Sequence, residues 1–150
     1  MNNELKIYAI KYPLLNSYGE YNFQTDSGLL YEVCFGRKKD NIFHVIIVFG
    51  VKNDEYQNDE YPIVNKGEIY KVMNTIVEIV KHYIANHPNV NKYEFYAMEK
   101  DTESKSKQGA RMKLYQRYLP KIFDTDVWAF DIHDNSAMVI NKNKIIRSGQ

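Results

Sequence analysis

Residues 65–88, NKGEIYKVMNTIVEIVKHYIANHP, constrain the fold more than any other stretch of the chain. Ile69, Val72, Met73, Ile76, Val77, Ile79, Val80, Tyr83 and Ile84 recur at steps of three and four, the period of an amphipathic helix. The stripe is wide enough to lie flat on a sheet. Lys71, Asn74, Glu78 and Lys81 fall on the opposite side and predict a solvated face. Asn65 stands at an N-cap position and Glu68 follows three residues later, a capping-box-like pair. Asn86 and Pro88 mark the stop, with Lys81, His82 and His87 near the negative end of the helix dipole. Several residues of the apolar stripe are β-branched and poor helix formers on their own. Tertiary packing must therefore hold this helix, which makes it a core element.

The segments around it read mostly as strands. Residues 21–25 alternate Tyr21, Phe23 and Thr25 with polar neighbours, and Asp26-Ser27-Gly28 is a hairpin-turn signal. Residues 29–36 place Tyr31, Val33 and Phe35 on one face. Residues 42–51, IFHVIIVFGV, are apolar on both faces and predict a central strand covered on both sides. Residues 5–12 predict a first strand or an arm, closed by Pro13. After the helix, residues 92–98 put Tyr93, Phe95 and Ala97 on one face. A second helix is expected over 107–119, with Met112, Tyr115 and Leu119 in its stripe and Pro120 ending or kinking it. Residues 127–132 and 137–140 predict a closing hairpin around Asp134-Asn135-Ser136. The acidic stretch 52–61 and the charged stretch 99–107 predict loops. This order predicts an α+β fold with a mixed sheet: an antiparallel meander, then helix–strand–helix, then a terminal hairpin, in one domain over 1–150.

Charge and cysteine usage narrow the function classes. A net charge of +1 gives no steering toward nucleic acid or an anionic membrane. The single cysteine, Cys34, excludes an internal disulfide framework and a multi-cysteine zinc site. No apolar run has the length of a signal peptide or a membrane span, so a cytoplasmic setting is expected. The 13 tyrosines suit sheet faces and binding surfaces, although an AT-rich coding sequence also favours Tyr, Asn, Lys and Ile.

No complete catalytic or metal motif is present. His44, His82, His87 and His133 form no His-x-x-x-His or His-x-x-Glu-His pattern, so no metal site is expected. Asp54, Glu55, Asp59 and Glu60 lack the central glycine and closing glutamate of a calcium loop and read as solvated. Cys34 reads as a small buried hydrophobe. Glu94 and Glu99 flank a strand, where either serves as a general base if a cleft lies beside it and as a solvated edge residue otherwise. Arg111 and Arg117 read either as guanidinium groups for an anionic ligand or as partners of nearby acids.

The order of elements resembles the GNAT-type N-acetyltransferase fold. The stretch Ala110-Arg111-Met112-Lys113-Leu114-Tyr115-Gln116-Arg117-Tyr118 looks like that family's run of small residue, basic residue and Leu-Tyr. The Arg-x-x-Leu-Tyr helix also resembles small bacterial and phage proteins, a likeness that implies no function. The acetyltransferase resemblance covers residues 21–140, mostly by order of elements. It implies a backbone cradle for the pyrophosphate of acetyl-CoA at the start of helix 65–88. Lys66, Gly67 and Arg111 are then the cofactor-binding residues, and Tyr115 is the acid that protonates the departing thiolate. This chain departs from the family's pattern at the cradle, where Gly67 stands alone and the pattern has two small residues. Asn65 and Glu68 would themselves satisfy the N–H groups a phosphate needs, and Glu68 would repel it. The expected function is therefore a divergent, non-catalytic binding or assembly module that takes no cofactor. Its expected partner is another protein or a second copy of the chain, with no nucleic acid and no membrane. The alternative is an acyl-CoA-dependent N-acetyltransferase acting on an amine, with a V-shaped opening between strands 42–51 and 92–98. The sequence leaves open whether the chain is an enzyme.

Overall fold

Tyr21, Val33 and Phe49 stand side by side on neighbouring strands, and Phe35, Ile47, Phe95 and Ala137 form a second such row. These rows are the floor of the core. The structure is a computed structural model that describes residues 6–13, 19–51, 66–97, 113–133 and 136–143. Its strands are β1 (Glu20–Gln24), β2 (Leu30–Lys38), β3 (Asn41–Val51), β4 (Lys92–Ala97), β5 (Trp128–Ile132) and β6 (Ser136–Asn141). They form one six-stranded sheet in the order β1-β2-β3-β4-β6-β5. β3 and β4 run parallel, and every other neighbouring pair is antiparallel. The α+β class and the mixed sheet follow the sequence expectation. The acidic stretch 52–61, the charged stretch 99–107, Asn65 and Arg111 lie outside the described residues.

The β1–β2 hairpin forms where Asp26-Ser27-Gly28 predicts a turn. Gly28 N–H donates to Thr25 O at 3.0 Å, and Gly28 takes φ 93°, a left-handed conformation that glycine adopts without a Cβ penalty. Thr25 is buried, and its Oγ1 accepts from Leu29 N–H at 3.0 Å.

Helix α1 (Lys66–Asn86) links β3 to β4 and lies on the face that carries the two rows. Val72, Met73, Ile76, Val77, Ile79 and Val80 are all buried, as the stripe predicts. Near its C-terminal end, Asn86 Nδ2 donates to His82 O at 2.8 Å, His87 Nδ1–H to Tyr83 O at 2.8 Å, and His87 N–H to Ile84 O at 3.1 Å.

The polar side of α1 is not all solvated. Residues 6–13 run along its flank as an arm rather than a strand, touching β1 through one bridge, Lys11↔Asn22. Tyr8 is buried there, with Lys71 Nζ 4.3 Å from the centre of its ring. Thr75 is fully buried beneath the arm; its Oγ1 accepts from Tyr8 N–H at 2.9 Å and donates to Lys71 O at 2.7 Å.

The second helix differs from its expectation. Residues 113–116 are helical, the chain turns at 117–118, and helix α2 (Leu119–Ile122) follows. Pro120 therefore sits in the first turn of α2 instead of ending the helix before it. A proline has no N–H to place in a helix interior, but the first turn leaves that group unused.

β3 is central, as expected, but its two faces are not equally covered. Val45, Ile47 and Phe49 are buried under α1, whereas Ile46 and Val48 on the other face are half-buried. Both α1 and α2 pack on the Phe49 side, and no described helix lies on the other face.

Candidate functional site

The first turn of α1 is tied to the β1–β2 turn. Glu68 Oε1 accepts from Ser27 N–H at 3.2 Å and from Ser27 Oγ at 2.7 Å, and Lys71 Nζ lies 3.8 Å from Asp26 Oδ2. A carboxylate in the first helical turn is favoured by the dipole, so this contact seats both elements. Lys66 and Gly67 are the first two residues of α1. The second-helix segment is brought beside them, because Leu114 shares a small recess with Glu68, Ile69 and Leu29. Tyr115, the residue expected to act as an acid, is buried, its ring edge-on to Phe49 at 4.3 Å between centroids. Arg111, expected to share the cofactor, is not among the described residues.

β3 and β4 are paired without interruption from His44↔Lys92 to Phe49↔Ala97. Asn91 N–H extends the ladder by donating to Phe43 O at 2.9 Å. Along these residues the strands do not part.

An apolar recess lies between α1, the sheet and the segment leading into α2. Phe49 and Phe95 form its floor, Met73 and Ile76 one wall, and Tyr115 and Leu119 the other. It leaves about 20 Å³ that the centre of a water molecule can occupy, room for about one water. Gln116 also lines it and is held in place, its Nε2 donating to His133 O at 2.7 Å. Tyr118 closes one side and is itself almost buried. Burial raises the pKa of its phenol, with Tyr70 adding to the effect and Arg117 opposing it, so the hydroxyl stays neutral and able to donate. Lys121 Nζ sits 4.7 Å from the centre of the Tyr118 ring.

The other face of the sheet carries a titratable cluster. His44 Nε2 lies 2.5 Å from Glu94 Oε1, Tyr96 Oη donates to Glu94 Oε2 at 2.6 Å, and Lys38 Nζ stands 4.0 Å from Glu94 Oε1. The His44 ring is buried, and its Nε2 approaches the carboxylate without a well-aligned hydrogen bond. Burial lowers the pKa of His44, which Glu94 opposes and Lys38 and Lys92 reinforce. For Glu94, burial acts to raise the pKa. The Tyr96 hydrogen bond and the nearby His44 and Lys38 outweigh it and hold the carboxyl below its ordinary range.

A carboxylate, an imidazole and a phenol in contact are the groups of an acid–base relay. The sequence offered Glu94 as a general base but did not join it to His44. These side chains meet only because the parallel register sets Ile46 opposite Glu94, which puts His44 diagonally beside it.

The remaining chemistry-bearing residues have local partners. His82 Nδ1 and Tyr21 Oη are 2.8 Å apart, and Tyr12 packs on the His82 ring at 4.7 Å. His87 stacks on Tyr83 at 3.8 Å. Cys34 is half-buried rather than buried, and its Sγ donates to Glu32 Oε1 at 2.7 Å. Among the described residues no group of three or more His, Cys, Asp or Glu is placed to hold a metal ion, and no helix is long and apolar enough to cross a membrane. Comparison with known proteins finds no matching family model, no matching curated protein and no matching solved structure.

Proposed function

We propose that this chain is a divergent GNAT-like binding or assembly module without catalysis of its own. The observation that carries the reading is the unbroken β3–β4 ladder from His44↔Lys92 to Phe49↔Ala97. A transferase of that architecture admits its cofactor where these two strands part, and here their backbone groups are spent on one another. The use of Glu68 to anchor the β1–β2 turn supports the same reading, since it leaves a carboxylate where a pyrophosphate would lie. One observation favours the acyl-CoA-dependent N-acetyltransferase alternative: Leu114 of the Leu-Tyr pair stands beside the first turn of α1.

Thermal unfolding with CoA and with acetyl-CoA separates the two readings. A ligand at about 100 times its dissociation constant adds about 2.7 kcal/mol of stability. The module reading expects no shift of the midpoint with either compound at millimolar concentration. A shift with both would overturn it in favour of the transferase.

A further inference from the structure

We infer that the sheet face opposite α1 docks on the same face of a second copy of the chain, the two related by a two-fold axis that crosses the strands over the row Phe35, Ile47, Phe95 and Ala137. This names the partner for the assembly-module reading and rests on it. A parallel pair is ordinarily covered on both faces, whereas a solvated antiparallel face carries polar residues outward. Among the described residues, β3 and β4 are covered on one face only. The centre of the other face is apolar: Ile46, Val48, Met138 and Ile140 stand there half-buried, and Tyr96 is 39% exposed. Exposed polar residues lie at its margins, Glu20 and Gln24 on β1 and Asp131 on β5. An apolar centre with a polar rim is the anatomy of a protein interface. Glu94 would enter that interface with its partners in place, since it already accepts from Tyr96 Oη and lies beside His44 and Lys38.

The face is complementary to itself in this orientation. Glu32 and Lys38 stand three residues to either side of Phe35 on β2, so the axis sets Glu32 of each copy opposite Lys38 of the other. Lys38 belongs to this face, because its Nζ reaches Glu94. Six residues of strand, about 20 Å, keep Glu32 and Lys38 from pairing within one chain. The same axis lays Ile46 over Val48 of the second copy and Cys34 over its Gly36. Gly36 is exposed, and a Cβ added there would meet nothing within 4 Å, so the face has a dent that can take a side chain from the facing sheet. An axis along the strands would instead gather Lys38 and Lys92 of both copies at one end, and like charges oppose that arrangement.

The test is sedimentation velocity of the full chain over a series from micromolar to millimolar concentration. The expected result is a reversible dimer of twice 17.7 kDa. Gly36→Lys puts a long charged side chain on the docking face without a clash inside the chain, and the backbone there has no positive φ to resist it. That variant should sediment as a monomer throughout the series and keep the far-UV circular dichroism of the wild type. Glu32→Lys alone and Lys38→Glu alone each meet like charges twice across the axis, and each should weaken the dimer by about tenfold. An equimolar mixture of these two variants should recover wild-type affinity, because in the mixed dimer every lysine of the two pairs faces a glutamate. Three outcomes would overturn the inference. A monomer at every concentration would do so, and a segment of the chain itself covering the face would give that result. A dimer that Gly36→Lys leaves intact would place the contact elsewhere, and a mixture no tighter than the single variants would rule out this axis. The CoA measurement is independent, so a monomer here leaves the non-catalytic reading to stand or fall on its own result.

Discussion

His44 shows how much a single residue's role depends on its neighbours. Its sequence position, inside an apolar run, says only that it lies on a strand. In the structure it is buried beside Glu94, with Lys38 on β2 and Lys92 and Tyr96 on β4 as the other charged or titratable groups of the cluster. Both pKa shifts have the same consequence on acidification. His44 has a folded pKa below its ordinary 6.5, so the unfolded chain takes up the proton first and stability falls as pH drops below that value. Glu94 has a folded pKa below 4.5, so its contribution is present above that value and is lost as pH falls further.

Urea unfolding should therefore show stability declining from pH 7.5 to 5.5, and His44→Gln should flatten that decline. An unchanged slope in the variant would show that another group sets it. Tyr93 makes a related point about cost. Its hydroxyl is buried and unpaired among the described residues, a penalty of about 1–3 kcal/mol. The ring's packing against Tyr83, Phe123 and Trp128 offsets it.

At the scale of elements, α1 follows its pattern closely, because the helical period alone says which side is buried. Where it departs, a distant segment is the reason. Thr75 sits outside the apolar stripe yet is fully buried, because the 6–13 arm lies over it and gives its hydroxyl a backbone N–H to accept from. Thr75→Val removes that acceptor and leaves Tyr8 N–H buried without it, which should cost about 1–3 kcal/mol in chemical denaturation. The Tyr8 amide should then exchange with solvent much faster. Wild-type stability and protection in this variant would mean the arm is held by the Tyr8 ring alone. The hydrogen bonds from Ser27 to Glu68 are a second long-range contact of this kind, spanning 41 residues. Proline makes the opposite point in the short helix α2, where Pro120 was legible as a break but not as a beginning. The same missing N–H is compatible with both, and only the placement of Leu119 in the core selects one.

At the scale of the whole molecule, the parallel β3–β4 pair is the centre of the architecture. It is flanked by antiparallel pairs on both sides and covered by α1. Amides of Val45, Ile47 and Phe49 should be among the slowest to exchange, together with Ile79 and Val80 of α1. These five residues are buried, and opening them requires the sheet and the helix to separate. Hydrogen exchange measured residue by residue checks this, and fast exchange in β3 would contradict a core built on that pair. The apolar recess lies over the same pair, between Phe49 and Phe95 and the helices.

The sequence by itself determined where the strands and the long helix run and which side of each is apolar. Those are local properties: alternation at every second residue and recurrence at three and four are read from neighbours along the chain. It also marked Gly28 and the turn it closes. Tertiary structure alone decided the strand order, the parallel register that joins His44 to Glu94, the arm that buries Thr75 and the closure of β3 on β4. Each of these depends on which distant rows of side chains pack together beneath α1, and a strand's own pattern is satisfied by any neighbour that presents an apolar row at the right spacing.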